Sequence, residues 1–310
     1  MKLIFNPAKI TTLILFSAFV LINSCKKETS GNTSQEELAS QVSSVADAES
    51  EVIFNEVFDN VMGVNNDVGL AGVGVFGQMN AGSIGDVART YACPEVTKTL
   101  MSAPNIFPLK IILDFGSGCA ARDGRIRSGK IITTYTNRLI YPGAKATTVF
   151  ENYKVDSIKV EGTHVITNQS IVGGTQPTNI VTFIWKTDVE GARLTKPNGN
   201  YSEWNSSKLV TQLEGMHTSL LPLDDVYKIE GHANGKVKRN DLLVAWKAEI
   251  TEPLIKKFTC RWIVKGILKV VRLNLSGNSP WISVLNYGNG DCNNKATMTI
   301  NGITKEITLP

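Results

Sequence analysis

Few side chains in this sequence are equipped for chemistry, and those few are spread far apart. Of 310 residues, three are His and five are Cys. His164 stands in an alternating apolar stretch, with His217 and His232 distant in sequence. That placement suits a packed, hydrogen-bonded imidazole better than a metal ligand or a general base. No HExxH run offers a zinc site, and no CxxC or short Cys/His spacing offers a four-cysteine metal centre. Gly116-Ser117-Gly118 fails as a nucleophile elbow, because Phe115 stands where GxSxG requires glycine. Gly72-Val73-Gly74-Val75-Phe76-Gly77 is formally GxGxxG, but no clear strand-to-helix context frames it, so it reads as part of a flexible connector. Carboxylates are plentiful without a pair marked for acid–base work. Asp114, Asp123 and Asp291 lie near glycine-rich turns but lack the D-x-D-x-D order of a calcium loop. No cofactor or metal is expected, and the reading is of a non-enzymatic protein.

The reactive group with the clearest context is Cys25. Lys2 and Lys9 give a positive start with no acid before Glu28, and an apolar stretch runs from Ile10 to Ile22. That is too short to span a bilayer, which takes roughly 20 apolar residues, and it fits the core of an export signal. It ends in Leu21-Ile22-Asn23-Ser24-Cys25, which resembles a bacterial lipobox, with an aliphatic residue three before the Cys and a small one just before it. The resemblance implies a signal peptide over 1–24, cleavage before Cys25, and lipidation there, with several acyl chains (palmitate among them) giving a stable anchor. An ordinary secretory signal with an accidental cysteine is the alternative. Cys25 falls where the apolar stretch ends, which favours the lipobox.

An exported chain meets an oxidising compartment, so Cys93, Cys119, Cys260 and Cys292 are expected to form two disulfides. Three connectivities are possible. Cys93 and Cys119 are symmetric about Ile106, the centre of a turn-like Pro104-Asn105-Ile106-Phe107-Pro108, and Cys260 and Cys292 are symmetric about Ser276. Each pair therefore suits its own hairpin, giving Cys93–Cys119 and Cys260–Cys292. A bridge between the two hairpins is the rival.

The elements that must carry these residues follow from the hydrophobic pattern. Residues 25–33 form a polar tether. Ser34 with Glu37 matches a capping box, and Leu38, Val42, Val45, Val52, Ile53, Val57, Phe58 and Val61 recur at helical spacing, predicting an amphipathic helix over 34–63. A Gly-rich connector covers 64–86. From 87 to 310 the period changes to two. Ile158, Val160, His164 and Ile166 share one face; so do Leu242, Val244, Trp246, Ala248 and Ile250; and a strand over 258–270 places Phe258, Cys260, Trp262, Val264, Leu268 and Val270 together. Turn signals such as Pro197-Asn198-Gly199-Asn200 and Asn301-Gly302 separate about a dozen strands. The fold class is all-β, an antiparallel meander forming a sandwich or a strongly curved sheet, with one N-terminal α-helix covering part of a face or edge. A break near 190–200 into two domains is the alternative.

Charge adds little. There are 32 Lys+Arg against 28 Asp+Glu, and removing Lys2 and Lys9 leaves a formal +2, so nothing points to nucleic acid. Among the five tryptophans, Trp204 in a polar stretch is the candidate for an exposed, glycan-binding surface. Asp156-Ser157-Ile158 matches a short motif for O-glycosylation at Ser157 in exported Bacteroidota proteins.

Asp114 to Lys130 (DFGSGCAARDGRIRSGK), Val160-Glu161-Gly162-Thr163, Cys260-Arg261-Trp262-Ile263-Val264 and the ending GNGDCNNKATMTINGITKEITL resemble a family of Bacteroidota outer-membrane lipoproteins of unassigned activity. The resemblance implies an exported lipoprotein and transfers no catalytic residue. Lys26 in place of the Asp that retains enteric lipoproteins in the inner membrane favours the outer membrane, with the periplasmic face and the cell surface both open. The expected partners are the membrane, through the anchor, and a protein, lipid or glycan ligand. A carrier or sensor of a hydrophobic ligand is the alternative function, and a glycan-binding accessory protein a third.

Overall fold

A computed structural model describes residues 29–63, 94–120, 124–173, 180–216, 222–273 and 279–309. The export segment, Cys25, Cys93 and the connector lie outside the described residues. Among the described residues one α-helix, α1 (Thr29–Gly63), precedes the strands β1 (Glu95–Ser102), β2 (Asn105–Asp114), β3 (Cys119–Ala120), β4 (Ile126–Tyr135), β5 (Lys145–Val155) and β6 (Ile158–Asn168). A short pair, β7 (Ile171–Val172) and β8 (Ile180–Thr182), leads into β9 (Ile184–Thr195), β10 (Tyr201–Glu214), β11 (Val226–Arg239) and β12 (Leu242–Lys257). β13 (Ile263–Arg272), β14 (Ser283–Asn289), β15 (Lys295–Ile300) and β16 (Ile303–Thr308) complete the chain.

Fourteen strands make one antiparallel sheet in the order β1-β2-β4-β5-β6-β9-β10-β11-β12-β13-β14-β15-β16, with β3 beside β4. The expected all-β meander with one helix is therefore present, as a single sheet rather than a sandwich. The sheet runs without a break through residues 190–200. There β9 turns into β10 with Tyr201 opposite Thr195, so a two-domain division at that point is excluded.

Alternation explains the inner and outer faces. On β10, Ser202, Trp204, Ser206, Lys208, Val210 and Gln212 are buried, while Glu203, Asn205, Ser207 and Thr211 point the other way. The outer face carries ion pairs such as Arg193–Glu203 at 2.8 Å, Lys186–Asp188 at 2.9 Å and Lys228–Glu230 at 2.7 Å. Such exposed pairs add little stability. They do show that this face is built for water and not for lipid acyl chains.

The helix departs from expectation. It starts at Thr29, so Ser34 lies within it and the Ser34/Glu37 capping box does not mark its beginning. It also does more than cover one edge. From Ala39 to Met62 nearly every side chain is buried, including Asp47, Glu51, Glu56, Asp59 and Asn60, because the curved sheet wraps around it. The pattern read as amphipathic is thus an enclosed helix with a polar stripe inside the protein. Phe54 stacks on Trp204 with centroids 5.5 Å apart, and Phe58 meets Tyr227 edge-on at 5.8 Å, tying the apolar stripe to β10 and β11.

Two local readings are corrected. The strand expected over 258–270 starts at Ile263, and residues 258–262 form the corner between β12 and β13. The first hairpin turns at Ala103-Pro104, with Ser102 opposite Asn105, so Ile106 is not its centre and Phe107 and Pro108 lie within β2. At Gly129 the ladder between β4 and β5 shifts register, with φ +76°, and an added Cβ would stand 2.3 Å from the Asn152 carbonyl oxygen. Only glycine fits that bulge.

Candidate functional site

The polar stripe of the helix gathers buried titratable side chains. Between Thr29 and Gly63 the chain has seven acids (Glu36, Glu37, Asp47, Glu49, Glu51, Glu56, Asp59) and no Lys or Arg. Each meets a donor from the sheet. Glu36 pairs with Arg272 at 2.6 Å, Glu37 with Lys305 at 2.7 Å, Glu49 with Lys196 at 3.0 Å and Asp59 with Lys256 at 2.7 Å. Glu51 pairs with Lys208 and also accepts the Asn55 amide at 2.9 Å. Glu56 accepts from Arg127 Nε at 2.8 Å and lies 3.6 Å from Arg125, which itself reaches Asp156 at 2.5 Å. Asp47 accepts the indole N–H groups of Trp204 and Trp246 at 2.9 and 3.0 Å.

Inward-facing Lys and Arg are rare because desolvation is costly unless the charge is paired. Here the sheet supplies them where the helix supplies acids. Burial raises the pKa of Asp59 to about 6 although Lys256 pulls it down, and burial raises that of Asp47 against the opposing pull of Lys208. Burial also brings Lys208 down to about 8, and Asp47 counters part of that. His164, buried beside Phe54, is pushed down to about 4 by burial, with Asp188 acting weakly the other way. Its Nδ1 is buried with no hydrogen-bond partner.

The space beside this stripe is small. A cavity of about 20 Å³ is lined by Glu51, Asn55, His164, Ser206 and Lys208 among others. That is room for about one water and none for a substrate. The buried acids and bases of the described residues are engaged with one another. They act as specific ties between helix and sheet.

The residues singled out by sequence fall elsewhere. Cys260 and Cys292 are joined, with Cα atoms 5.7 Å apart, just before β13 and just after β14, closing the open end of that hairpin. Cys119 is disulfide-bonded and sits on β3 opposite Arg127, outside the β1–β2 hairpin. Cys93, the partner expected for it, lies outside the described residues. Ser157 is exposed in the tight β5–β6 turn, where Asp156 and Ser157 both have positive φ. Trp204, expected at the surface, is 1% exposed, since it points inward on β10 to cap Asp47. It offers no glycan platform.

Asp114-Phe115-Gly116, at the end of β2, and Asn286-Tyr287-Gly288, within β14, share one local hydrogen-bond pattern. Asp114 Oδ1 accepts the Gly116 N–H and Asn286 Oδ1 accepts the Gly288 N–H, each at 2.9 Å, with Phe115 and Tyr287 both buried. No group of three or more possible metal ligands occurs among the described residues. Comparison with protein-family models, curated proteins and solved structures yields no match.

Proposed function

We propose that this chain is an exported envelope protein, anchored in the outer membrane through lipid on Cys25, that presents a disulfide-stapled β module for binding or structural support. The observation that carries the non-enzymatic part is the filled interior. The helix occupies the concave side of the sheet, and its buried acids Asp47, Glu51, Glu56 and Asp59 are engaged by inward-facing Trp, Lys and Arg. A carrier of hydrophobic ligands needs a cavity for an acyl chain. The interior cavity beside the helix holds about 20 Å³, and its lining includes Glu51 and Lys208. The anchoring part rests on the lipobox-like Leu21-Ile22-Asn23-Ser24-Cys25 and on Lys26.

Two measurements test the two parts separately. Labelling of growing cells with an alkyne-bearing palmitate should mark the chain in the outer-membrane fraction, and Cys25→Ser should abolish the label. A labelled Cys25→Ser chain refutes the anchor. Native mass spectrometry of the Cys25→Ser chain purified from its own host should return the bare protein mass. A stoichiometric small molecule refutes the scaffold reading and makes the protein a carrier.

A further inference from the structure

The two ends of the sheet are built differently. At the end where α1 begins, tight polar turns join the strands, at Asp156-Ser157, Asn198-Gly199 and Asn301-Gly302. Exposed apolar residues there stand singly beside charges, as Leu243 does by Asp241 and Leu273 by Arg272. The opposite rim, where α1 ends, is level with the line Leu109, Tyr135, Ala146 and Ile166, which pair successively across β2, β4, β5 and β6. Tyr135 fixes the level by donating its hydroxyl to the Val61 carbonyl at 3.0 Å.

Past that line the β1–β2 hairpin continues beyond the core. Leu100, Met101 and Ile106 are 46%, 55% and 60% exposed, and residues 99–109 contain no charged side chain. On the same rim Ile171 and Val181, at the β7–β8 pair, are 54% and 58% exposed. In the described residues of the three segments that form this part of the rim (99–110, 131–150, and 168–173 with 180–184), the bases are Lys110, Arg138 and Lys145 and there is no acid.

We infer that this rim docks on an anionic lipid surface. Apolar tips enter the headgroup region, where each buried methylene is favourable, and a collar of bases meets the lipid phosphates. A protein partner would be served by the same apolar tips. It would not require a collar free of acids across three separate segments, and that feature favours lipid. The inference holds whether or not Cys25 is acylated.

The test uses the mature chain carrying Cys25→Ser, so that no acyl chain contributes, in sedimentation with sucrose-loaded vesicles. Binding to vesicles of phosphatidylcholine mixed with phosphatidylglycerol should exceed binding to phosphatidylcholine alone by about tenfold or more, and should weaken with salt. Leu100→Asp with Ile106→Asp should lower it by about tenfold or more. Lys110→Gln with Arg138→Gln should remove most of the anionic preference. Circular dichroism reports whether each variant folds, and Ile171→Asp with Val181→Asp supplies an independent second pair on the same rim. Failure of the parent chain to bind anionic vesicles overturns the inference, as does binding unchanged by both pairs of Asp substitutions. Recovery of one protein by cross-linking from residue 101 on cells, without vesicle binding, overturns it in favour of a protein partner.

Discussion

His164 gives the sharpest test of how the enclosed interior is held. Its imidazole is 2% exposed on β6, packed against Phe54 of the helix, and burial lowers its pKa from 6.5 to about 4. The sign follows from proton counting. The unfolded chain takes a proton on this His as pH falls below about 6.5, whereas the folded chain resists until about 4. The folded pKa is depressed, so the stability it contributes is present above 6.5 and is lost as pH falls through that window. The gap between 6.5 and about 4 corresponds to about 3 kcal/mol. His164→Leu removes this titration. Urea unfolding of parent and variant at a series of pH values should show the difference between them moving by about 3 kcal/mol in favour of the variant between pH 7 and pH 4. Comparing the two chains cancels Asp59, whose raised pKa of about 6 works in the opposite direction in both. A difference that stays constant over this range refutes the reasoning, because it would mean that His164 titrates normally and is not enclosed.

Other consequences follow from the same geometry. Lys208→Met leaves Glu51 buried beside it without its cation and should cost about 3–5 kcal/mol in urea unfolding, while Glu51→Leu combined with Lys208→Met should recover most of the loss. Gly129→Ala should destabilise by at least about 2 kcal/mol, measured in the same way, because the backbone is left-handed and the Asn152 carbonyl fills the space. Cys260→Ala with Cys292→Ala opens a loop spanning 32 residues and should cost about 3–4 kcal/mol by chain entropy, read against the parent under non-reducing conditions.

How much of this was legible in the sequence depends on what each residue had to reveal. Period-two alternation located the inner faces of β6 and β12, since Ile158, Val160, His164 and Ile166 had to lie together whatever the sheet enclosed. Periodicity located the helix for the same reason. What it could not supply was the surroundings. Asp47, Glu51, Glu56 and Asp59 fall among the polar positions of a helix read as amphipathic, and only a sheet curved right around α1 places them inside. Two signals did point that way. The helix has acids without a single Lys or Arg, and Lys208 and Lys256 occupy the buried parity of β10 and β12, in step with Val210 and Leu254. Trp204 misled for a related reason. Its neighbours Glu203, Asn205 and Ser207 are polar because they face water, while Ser206 is polar because it faces a polar interior. The two kinds of polarity look alike in one dimension.

The start of the helix and the proposed lipid rim lie at opposite ends of the described residues, and this has a measurable consequence. Glu36 and Ser40 at the start of the helix engage Arg272 and the Trp281 carbonyl, while Val61 at its end meets Tyr135 beside the rim. A helix of 35 residues separates the two ends by about 50 Å. Cys25 precedes Thr29 by four residues, a reach of at most about 14 Å, too short to lead the anchor back along the helix. An acylated chain standing on its anchor therefore holds the Leu100–Ile106 tip away from the membrane that anchors it, toward a second surface. Purified acylated protein should then cluster anionic vesicles in dynamic light scattering, and Leu100→Asp with Ile106→Asp should abolish clustering without affecting insertion of the anchor. The Cys25→Ser chain should bind vesicles without clustering them. Acylated protein that binds fully to anionic vesicles and leaves them dispersed refutes the two-ended arrangement, since both lipid contacts would then lie on one bilayer.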